Sequence, residues 1–193
     1  MNPFSSLTRA LKHAVQQQFA VALPGDALYR RVVELARAPE YYLAGAVPDT
    51  LDGRFDMVAL VLSLVMMRLE TAGEMQLTAD LTERFITDMD GSLRQSGISD
   101  QVVGKHIGNM VSALGGRLGA YRAALATDAA TNAAADATTD AVPETLAEAL
   151  ARNLYRGAPV ADAALAWQVA AVRALNTRIV QTGLAALKAG DIA

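Results

Sequence analysis

Residues 57–67, with the sequence MVALVLSLVMM, form the most apolar stretch of the chain and decide its fold. Charged residues border the stretch, with Arg54 and Asp56 before it and Arg68 and Glu70 after it. A helix of this length spans about 16 Å, whereas the hydrocarbon core of a bilayer is about 30 Å thick. The stretch is therefore too short to cross a membrane, and it predicts a central helix that is buried on all sides.

Amphipathic segments on both sides of this stretch predict an all-α fold. Apolar residues recur at every third or fourth position, and no window of useful length alternates between apolar and polar residues as a strand does. We predict a single-domain bundle of about six or seven helices. Its parts are an N-terminal amphipathic helix (1–25), a helical core (26–125), a low-complexity linker (126–142) and C-terminal helices that pack on the core (143–193).

The linker prediction rests on composition. Residues 126–141 contain only Ala, Thr, Asp and Asn, and none of these is large enough to anchor a core. Thr and Asp also disfavour helix, so we expect the preceding helix to end near residue 125. After the linker, Leu146, Leu150 and Leu154 lie four residues apart and predict the apolar face of a helix. One last helix is predicted over about residues 161–188.

Composition excludes several classes of protein. The 193 residues are 52 % hydrophobic and 19 % charged, with a net charge of −3, so no overall basic field favours nucleic acid. The absence of cysteine excludes disulfides, thiol catalysis and Cys-ligated metal sites. With His13 and His106 as its two histidines, the chain cannot form a His-rich metal centre.

Catalytic motifs are weak throughout. Glu83, Asp88 and Asp90 form an acidic group, but on a helix they point partly to solvent. His106 has no carboxylate partner four residues away, and the glycine-rich sequence at 115–119 lacks the strand and the Gly-Lys-Ser/Thr ending of a phosphate loop. We therefore predict no enzymatic activity, no catalytic residue, no metal and no cofactor. A small-molecule enzyme would need a buried cluster of ionisable groups.

The N-terminal segment is basic and amphipathic. Phe4, Leu7 and Leu11 share one face of the predicted helix, Arg9 and Lys12 add positive charge, and the first acidic residue is not reached until position 26. One interpretation is an ordinary helix that packs on the domain. The other is contact with a membrane surface through these five residues.

Small residues recur along the helix predicted over residues 101–125. Gly104, Gly108, Ser112, Gly115 and Gly119 are spaced three or four residues apart. Glycine inside a helix costs about 1 kcal/mol relative to alanine, so some interaction is expected to offset that cost. Close packing against a helix of the same domain is one interpretation, and a groove that accepts a partner's helix is the other.

Arginines supply nearly all positive charge of the core. Their planar guanidinium groups suit fixed pairing with carboxylates. We expect structural ion pairs with the aspartates of the core, at Asp49, Asp52, Asp56, Asp88, Asp90 and Asp100.

Three longer strings resemble a known family. They are LYRRVVELARAPEYYLAGAVPDTLDGRFDMVALVLSLVMMRLE, LTERFITDMDGSLRQSGISDQVVGKHIGNMVSALGGRLGAYRAAL and LARNLY. Within them the most specific pieces are residues 47–50 with 53–56, then 68–69, 89–100, Tyr121 and 153–155. In this order and spacing, over about residues 27–156, the chain resembles the ubiquinol–cytochrome c chaperone family, assembly factors of the cytochrome bc1 complex in mitochondria and alphaproteobacteria.

The resemblance implies an all-α, non-enzymatic chaperone of respiratory complex III assembly. Its implied partner is newly made cytochrome b or an early bc1 intermediate, and the mitochondrial members of the family can also associate with the translating ribosome. The Ala- and Arg-rich, Lys-poor composition is typical of a bacterial protein. We therefore expect a cytoplasmic protein that is peripheral to the inner membrane, or one on the matrix side if it is mitochondrial.

A chaperone of this kind needs an apolar or small-residue surface. We predict partner contacts at Tyr41, Asp49, Arg54, Phe55, Arg94, Asp100 and Lys105, together with Gly104 and Gly108. For the aromatic residues, packing that holds the loop before the central helix to the bundle is the alternative. A lipid- or quinone-binding helical protein, with a cavity beneath residues 57–67, is the alternative function.

Overall fold

The computed structural model describes residues 25–95, 100–133 and 144–192, and within them all regular secondary structure is α-helical. The predicted all-α bundle is thus confirmed. The helices are α1 (Asp26–Ala36), α2 (Pro39–Leu43), α3 (Leu51–Thr71), α4 (Met75–Gln95), α5 (Asp100–Ala133), α6 (Leu146–Asn153), α7 (Asp162–Gln181) and α8 (Leu184–Ala189).

Helix α3 is the centre of the bundle, as its apolar sequence predicts. It begins where the Thr50 side chain accepts a hydrogen bond from the Gly53 backbone N–H at 3.1 Å, a standard N-cap. Every residue from 57 to 66 is buried. Helices α1, α4, α5 and α7 all pack against α3, which explains why its sequence is apolar on every face.

The neighbouring helices bury one stripe each. On α4 the stripe is Leu77, Leu81, Phe85 and Met89, all buried and four residues apart. This spacing places the four side chains on one face of the helix, towards the core.

Helix α5 is longer than the sequence indicated. It continues to Ala133, so the first eight residues of the predicted linker, 126–133, are helical. Alanine has the highest helix propensity, and the Asp128 carboxylate pairs with Arg173 of α7 at 2.7 Å. These two contributions outweigh the unfavourable Thr and Asp residues. The rest of the predicted linker, 134–142, lies outside the described residues.

The predicted helix over residues 161–188 is two helices. Helix α7 ends at Gln181, and Thr182 is extended with φ −65° and ψ 127°. The chain then returns as α8 towards α1, where Leu187 and Ile192 are buried. Gly190 has φ 79°, and a Cβ there would lie 2.7 Å from the Ala27 carbonyl oxygen, so this return requires glycine.

Helix α6 follows the prediction closely. Leu146, Leu150 and Leu154 are all at most 1 % exposed. A capping box starts the helix, with reciprocal hydrogen bonds between Thr145 and Glu148. Among the described residues, no helix is both long and apolar enough to span a bilayer.

Candidate functional site

A buried carboxylate, Asp56, lies on the first turns of α3. Its side chain is 1 % exposed, and two arginines hold it. Arg117 of α5 donates from Nη2 to Asp56 Oδ1 at 2.6 Å, and Arg156 donates from Nε to Oδ2 at 2.6 Å. Burial raises the pKa of Asp56, and the hydrogen bond from Arg156 and the charge of Arg117 oppose that rise.

The same arginines connect three parts of the fold. Arg156 follows α6 and also donates to Asp52 Oδ2 at 2.7 Å, so that two carboxylates face two guanidinium groups. The Arg117 guanidinium carbon lies 5.2 Å from the centroid of the Phe55 ring, a cation–π distance. The cluster is therefore charge-balanced, and it fixes α3 to α5 and to the segment after α6. It confirms the expected structural pairing of Asp52 and Asp56.

Two adjoining depressions lie beside this cluster, and we call them together the Phe55 groove. One, of about 260 Å³, lies between α3 and α4, and the other, of about 380 Å³, lies between α3 and α5. Both are lined by Asp52, Phe55 and Met110. The other apolar lining residues are Leu51, Val58, Met89 and Ala113.

The chemistry of the Phe55 groove suits binding rather than reaction. Leu51 is 48 % exposed at its edge, and methionine side chains adapt easily to irregular apolar partners. Its acidic residues are already engaged, because Asp52 pairs with Arg156 and Asp88 accepts a hydrogen bond from the Tyr29 hydroxyl at 2.9 Å. Burial, together with the nearby Asp88, raises the Tyr29 pKa.

The described part of the chain offers no clustered metal ligands. No group of three or more His, Asp or Glu residues is placed there to hold a metal ion.

The predicted contact residues fall partly on this groove. Arg54 and Phe55 line it, and Asp49 pairs with Arg54 at 2.6 Å. That hydrogen bond from Arg54 lowers the Asp49 pKa. Arg94 is exposed and pairs with Asp90 on α4 at 2.8 Å.

Other predicted contacts lie elsewhere or outside the described side chains. Tyr41 is buried against Trp167 of α7, with ring centroids 6.0 Å apart, so packing that holds the loop explains this residue. It does not line the Phe55 groove. Asp100, Gly104 and Lys105 belong to α5, but their side-chain surroundings lie outside the described part. The membrane-contact residues Phe4, Leu7, Arg9, Leu11 and Lys12 also lie outside the described residues.

The α5 glycines from Gly108 to Gly119 do not pack against another helix of the described residues. A Cβ added at Gly108, Gly115, Gly116 or Gly119 would meet no atom within 4 Å. Close packing within the described domain therefore does not explain these positions. No described residue covers the helix surface at these glycines. Gly108 lies two residues before Met110, which lines the Phe55 groove.

Sequence reasoning missed most of the Phe55 groove. Leu51 and Met110 gave no signal, because each fits an ordinary amphipathic helix. The sequence did offer a signal at Asp56, because this charged residue directly precedes the apolar run at 57–67 and is therefore expected near the buried core. Its partner Arg156 is 100 residues away in the chain, and no local pattern connects the two.

Comparisons with known proteins agree with the fold. A family model described as ubiquinol-cytochrome C chaperone matches residues 43–193. The crystal structure of the Cbp3 homolog from Brucella abortus is similar, with a TM-score of 0.71 and 29 % sequence identity over 95 % of each chain. A comparison with curated protein sequences found no similar protein.

Proposed function

This chain belongs to the ubiquinol–cytochrome c chaperone family, and from that we propose that it is a non-enzymatic assembly chaperone that binds newly made cytochrome b or an early cytochrome bc1 intermediate at the membrane surface. The observation that carries the proposal is the Phe55 groove. It is an open surface of mixed character, in which apolar side chains such as Leu51, Phe55 and Met110 lie among charged ones, and it is next to the exposed glycines of α5.

A membrane protein that is not yet assembled exposes apolar helices, and the groove matches such a partner. An amphipathic or apolar helix binds in a groove through residues spaced three or four apart. Leu51 and Phe55 on α3 have this spacing and offer one wall, while Met110 offers the facing wall from α5. The open surface at Gly108 allows the backbone of a partner helix to approach α5 closely.

The charges of the groove support binding without catalysis. Asp52 and Asp88 both have partners, and Arg54 is held by Asp49. A general acid or base needs a group free to exchange a proton with a substrate. These charged residues instead form a polar rim around an apolar floor, which is the usual arrangement of a protein interface.

The place of action is part of the proposal. We expect the protein to work at the cytoplasmic face of the inner membrane, or at the matrix face in a mitochondrion, with residues 1–24 in contact with lipid. Association with the ribosome rests on the family resemblance alone.

The test is affinity purification of the tagged full chain from gently solubilised membranes of its own cell, followed by mass spectrometry. We expect cytochrome b to be enriched with the wild type and lost with Leu51→Glu, which places a charge on the apolar groove. Leu43→Glu is the matched control, because Leu43 is 81 % exposed at the end of α2 and does not line the groove. Thermal unfolding of both variants should match that of the wild type.

A second variant tests the glycine surface. Gly108→Leu should also reduce cytochrome b recovery, because the new side chain blocks the approach of a helix, and it should leave thermal unfolding nearly unchanged. Ala170→Leu, on exposed α7 surface, is the control. Absence of cytochrome b from the wild-type eluate of respiring cells, or equal recovery with Leu51→Glu and Leu43→Glu, would contradict the proposal.

A further inference from the structure

A second groove lies on the other half of α3, and we call it the Arg68 groove. Its floor is formed by one face of α3, and α5 and α7 form its two walls. It encloses about 470 Å³ and remains open to solvent at Val180, which is 55 % exposed. The lining residues are Leu64, Met67, Arg68, Thr71, Leu125, Ala126, Asn176 and Val180.

Arg68 is distinctive among the arginines of the described chain. Its Nε is buried and has no hydrogen-bond partner, and within the described residues its side chain makes no ion pair. Arg30, Arg37 and Arg178 also lack a carboxylate partner there, but all three are exposed and keep their hydration. Arg68 is half-buried, so part of its hydration is lost without a replacement.

Two carboxylates on the helices that form the groove are already paired with other residues. Glu70 is paired with Arg122, and Asp128 is paired with Arg173 at 2.7 Å. The groove itself is lined by no acidic residue. A single positive charge therefore stands in an otherwise apolar and neutral groove, where its attraction for an anion is stronger than in bulk water.

Two polar groups accompany the charge. Asn176 lines the groove, and its side chain makes no hydrogen bond to the residues that the structure describes. The Thr71 hydroxyl already donates its proton to the Met67 carbonyl oxygen at 2.9 Å, so the Asn176 amide is the second donor that the groove offers to an anion. The remaining lining offers apolar surface from all three helices.

We propose that the Arg68 groove binds an amphiphile with one anionic head group and an apolar chain. Arg68 and Asn176 donate hydrogen bonds to the head group, and Leu64, Leu125 and Val180 contact the chain. The volume is in the range of small-molecule sites, about 300–1,000 Å³. Because the whole protein carries a net charge of −3, general attraction does not account for binding of an anion.

The test is isothermal titration of the full chain with dodecanoate, with dodecanol and inorganic phosphate as separate probes. Dodecanoate should bind saturably at one site per chain. Dodecanol should bind at least about tenfold more weakly because it lacks the charge that strengthens the hydrogen bonds to Arg68. Phosphate should also bind at least about tenfold more weakly because it has no apolar chain to bury.

Variants assign the binding to the groove. Arg68→Gln should weaken dodecanoate binding by about tenfold or more, because the charge-assisted hydrogen bonds are lost. Arg178→Gln removes an exposed arginine of α7 outside the groove and should leave the affinity unchanged. Val180→Glu, at an exposed position, brings a negative charge to the groove and should also weaken binding, which keeps the test valid if Arg68→Gln fails to fold.

A competition experiment identifies the source of the ligand. If vesicles of anionic phospholipid displace dodecanoate from the wild type, the groove binds a bilayer lipid; if they do not, it binds a free amphiphile, and both results fit the proposal. Equal affinity for dodecanol and dodecanoate, unchanged affinity in Arg68→Gln and Val180→Glu, or no saturable binding of dodecanoate would each overturn it. Client capture through the Phe55 groove is measured separately and does not depend on this result.

Discussion

At the scale of single residues, Asp56 has the most demanding position in the molecule. A carboxylate that loses its water needs partners of opposite charge, and Arg117 and Arg156 supply them. Arg117 is itself only 12 % exposed, so the pair is interdependent. Removing one member of such a pair costs more than the pair itself contributes, because the other charge remains buried.

Asp56→Asn should therefore lower the free energy of unfolding by about 3 kcal/mol, in the range seen when one partner of a buried ion pair is removed. Urea denaturation followed by circular dichroism measures the change. Asp49→Asn is the control, because it breaks an exposed pair with Arg54 and should have no measurable effect. Similar losses in both variants would show that burial does not govern the Asp56 pairing.

At the scale of an element, helix α6 depends on its first turn. It is eight residues long, and isolated helices of that length are not stable in water. The Thr145 backbone N–H and hydroxyl both donate to Glu148 Oε2 at 2.8 Å, and these bonds lower the Glu148 pKa below its ordinary value of 4.5. The stability of the first turn of α6 therefore depends on pH through the ionisation of Glu148.

The direction of the pH effect follows from the lowered pKa. The folded protein favours ionised Glu148, so this stabilisation is present above pH 4.5 and is lost as the pH falls through the folded pKa. Glu148→Gln should therefore be less stable than the wild type at neutral pH, and the difference should shrink as the pH falls below 4.5 and through the lowered pKa of Glu148. Thermal unfolding at several pH values measures it, and a difference that is constant over this interval would contradict the role of the carboxylate.

At the scale of the whole molecule, helix α3 is shared by two grooves. Phe55 and Arg68 are separated by about 20 Å along the helix axis, so the two grooves present separate surfaces. The Phe55 groove combines the paired charges of Asp52 and Arg54 with the exposed Arg37, whereas the Arg68 groove holds one half-buried arginine that has no ion pair with the described residues. If both proposals hold, the two sites do not overlap.

Contact of the whole protein with a bilayer is a separate prediction, and it concerns residues 1–24. Arg9 and Lys12 should attract anionic lipid by about 1 kcal/mol each, and the apolar face adds to that. Removal of residues 1–23 should therefore weaken binding to anionic vesicles in a flotation assay by about thirtyfold or more. The full chain with Arg30→Gln and Arg37→Gln, which loses two exposed charges from the described domain, should float like the wild type.

The flotation test also separates the two membrane hypotheses. Binding through residues 1–23 persists in Arg68→Gln, whereas binding of a lipid head group in the Arg68 groove does not. If the shortened chain floats as well as the full chain, the N-terminal segment has no role at the membrane.

The sequence by itself determined the parts of this protein that depend on local pattern. The apolar run at 57–67 specified a central buried helix, and the spacing of Leu146, Leu150 and Leu154 specified the buried face of α6. The strings that resemble the chaperone family were also visible in the sequence, and the family model matches residues 43–193. Periodicity and order along the chain are short-range properties, so they can be read without coordinates.

Only the tertiary structure decided which residues meet. Asp56 is joined to Arg117 and Arg156 across 61 and 100 positions of the chain, and Arg68 has no carboxylate partner in the part of the chain that the structure describes. Helix α5 extends past residue 125 partly because Asp128 meets Arg173 of α7. Such pairings depend on how the helices pack around α3, and a local pattern does not record the distance between helices that are far apart in the chain.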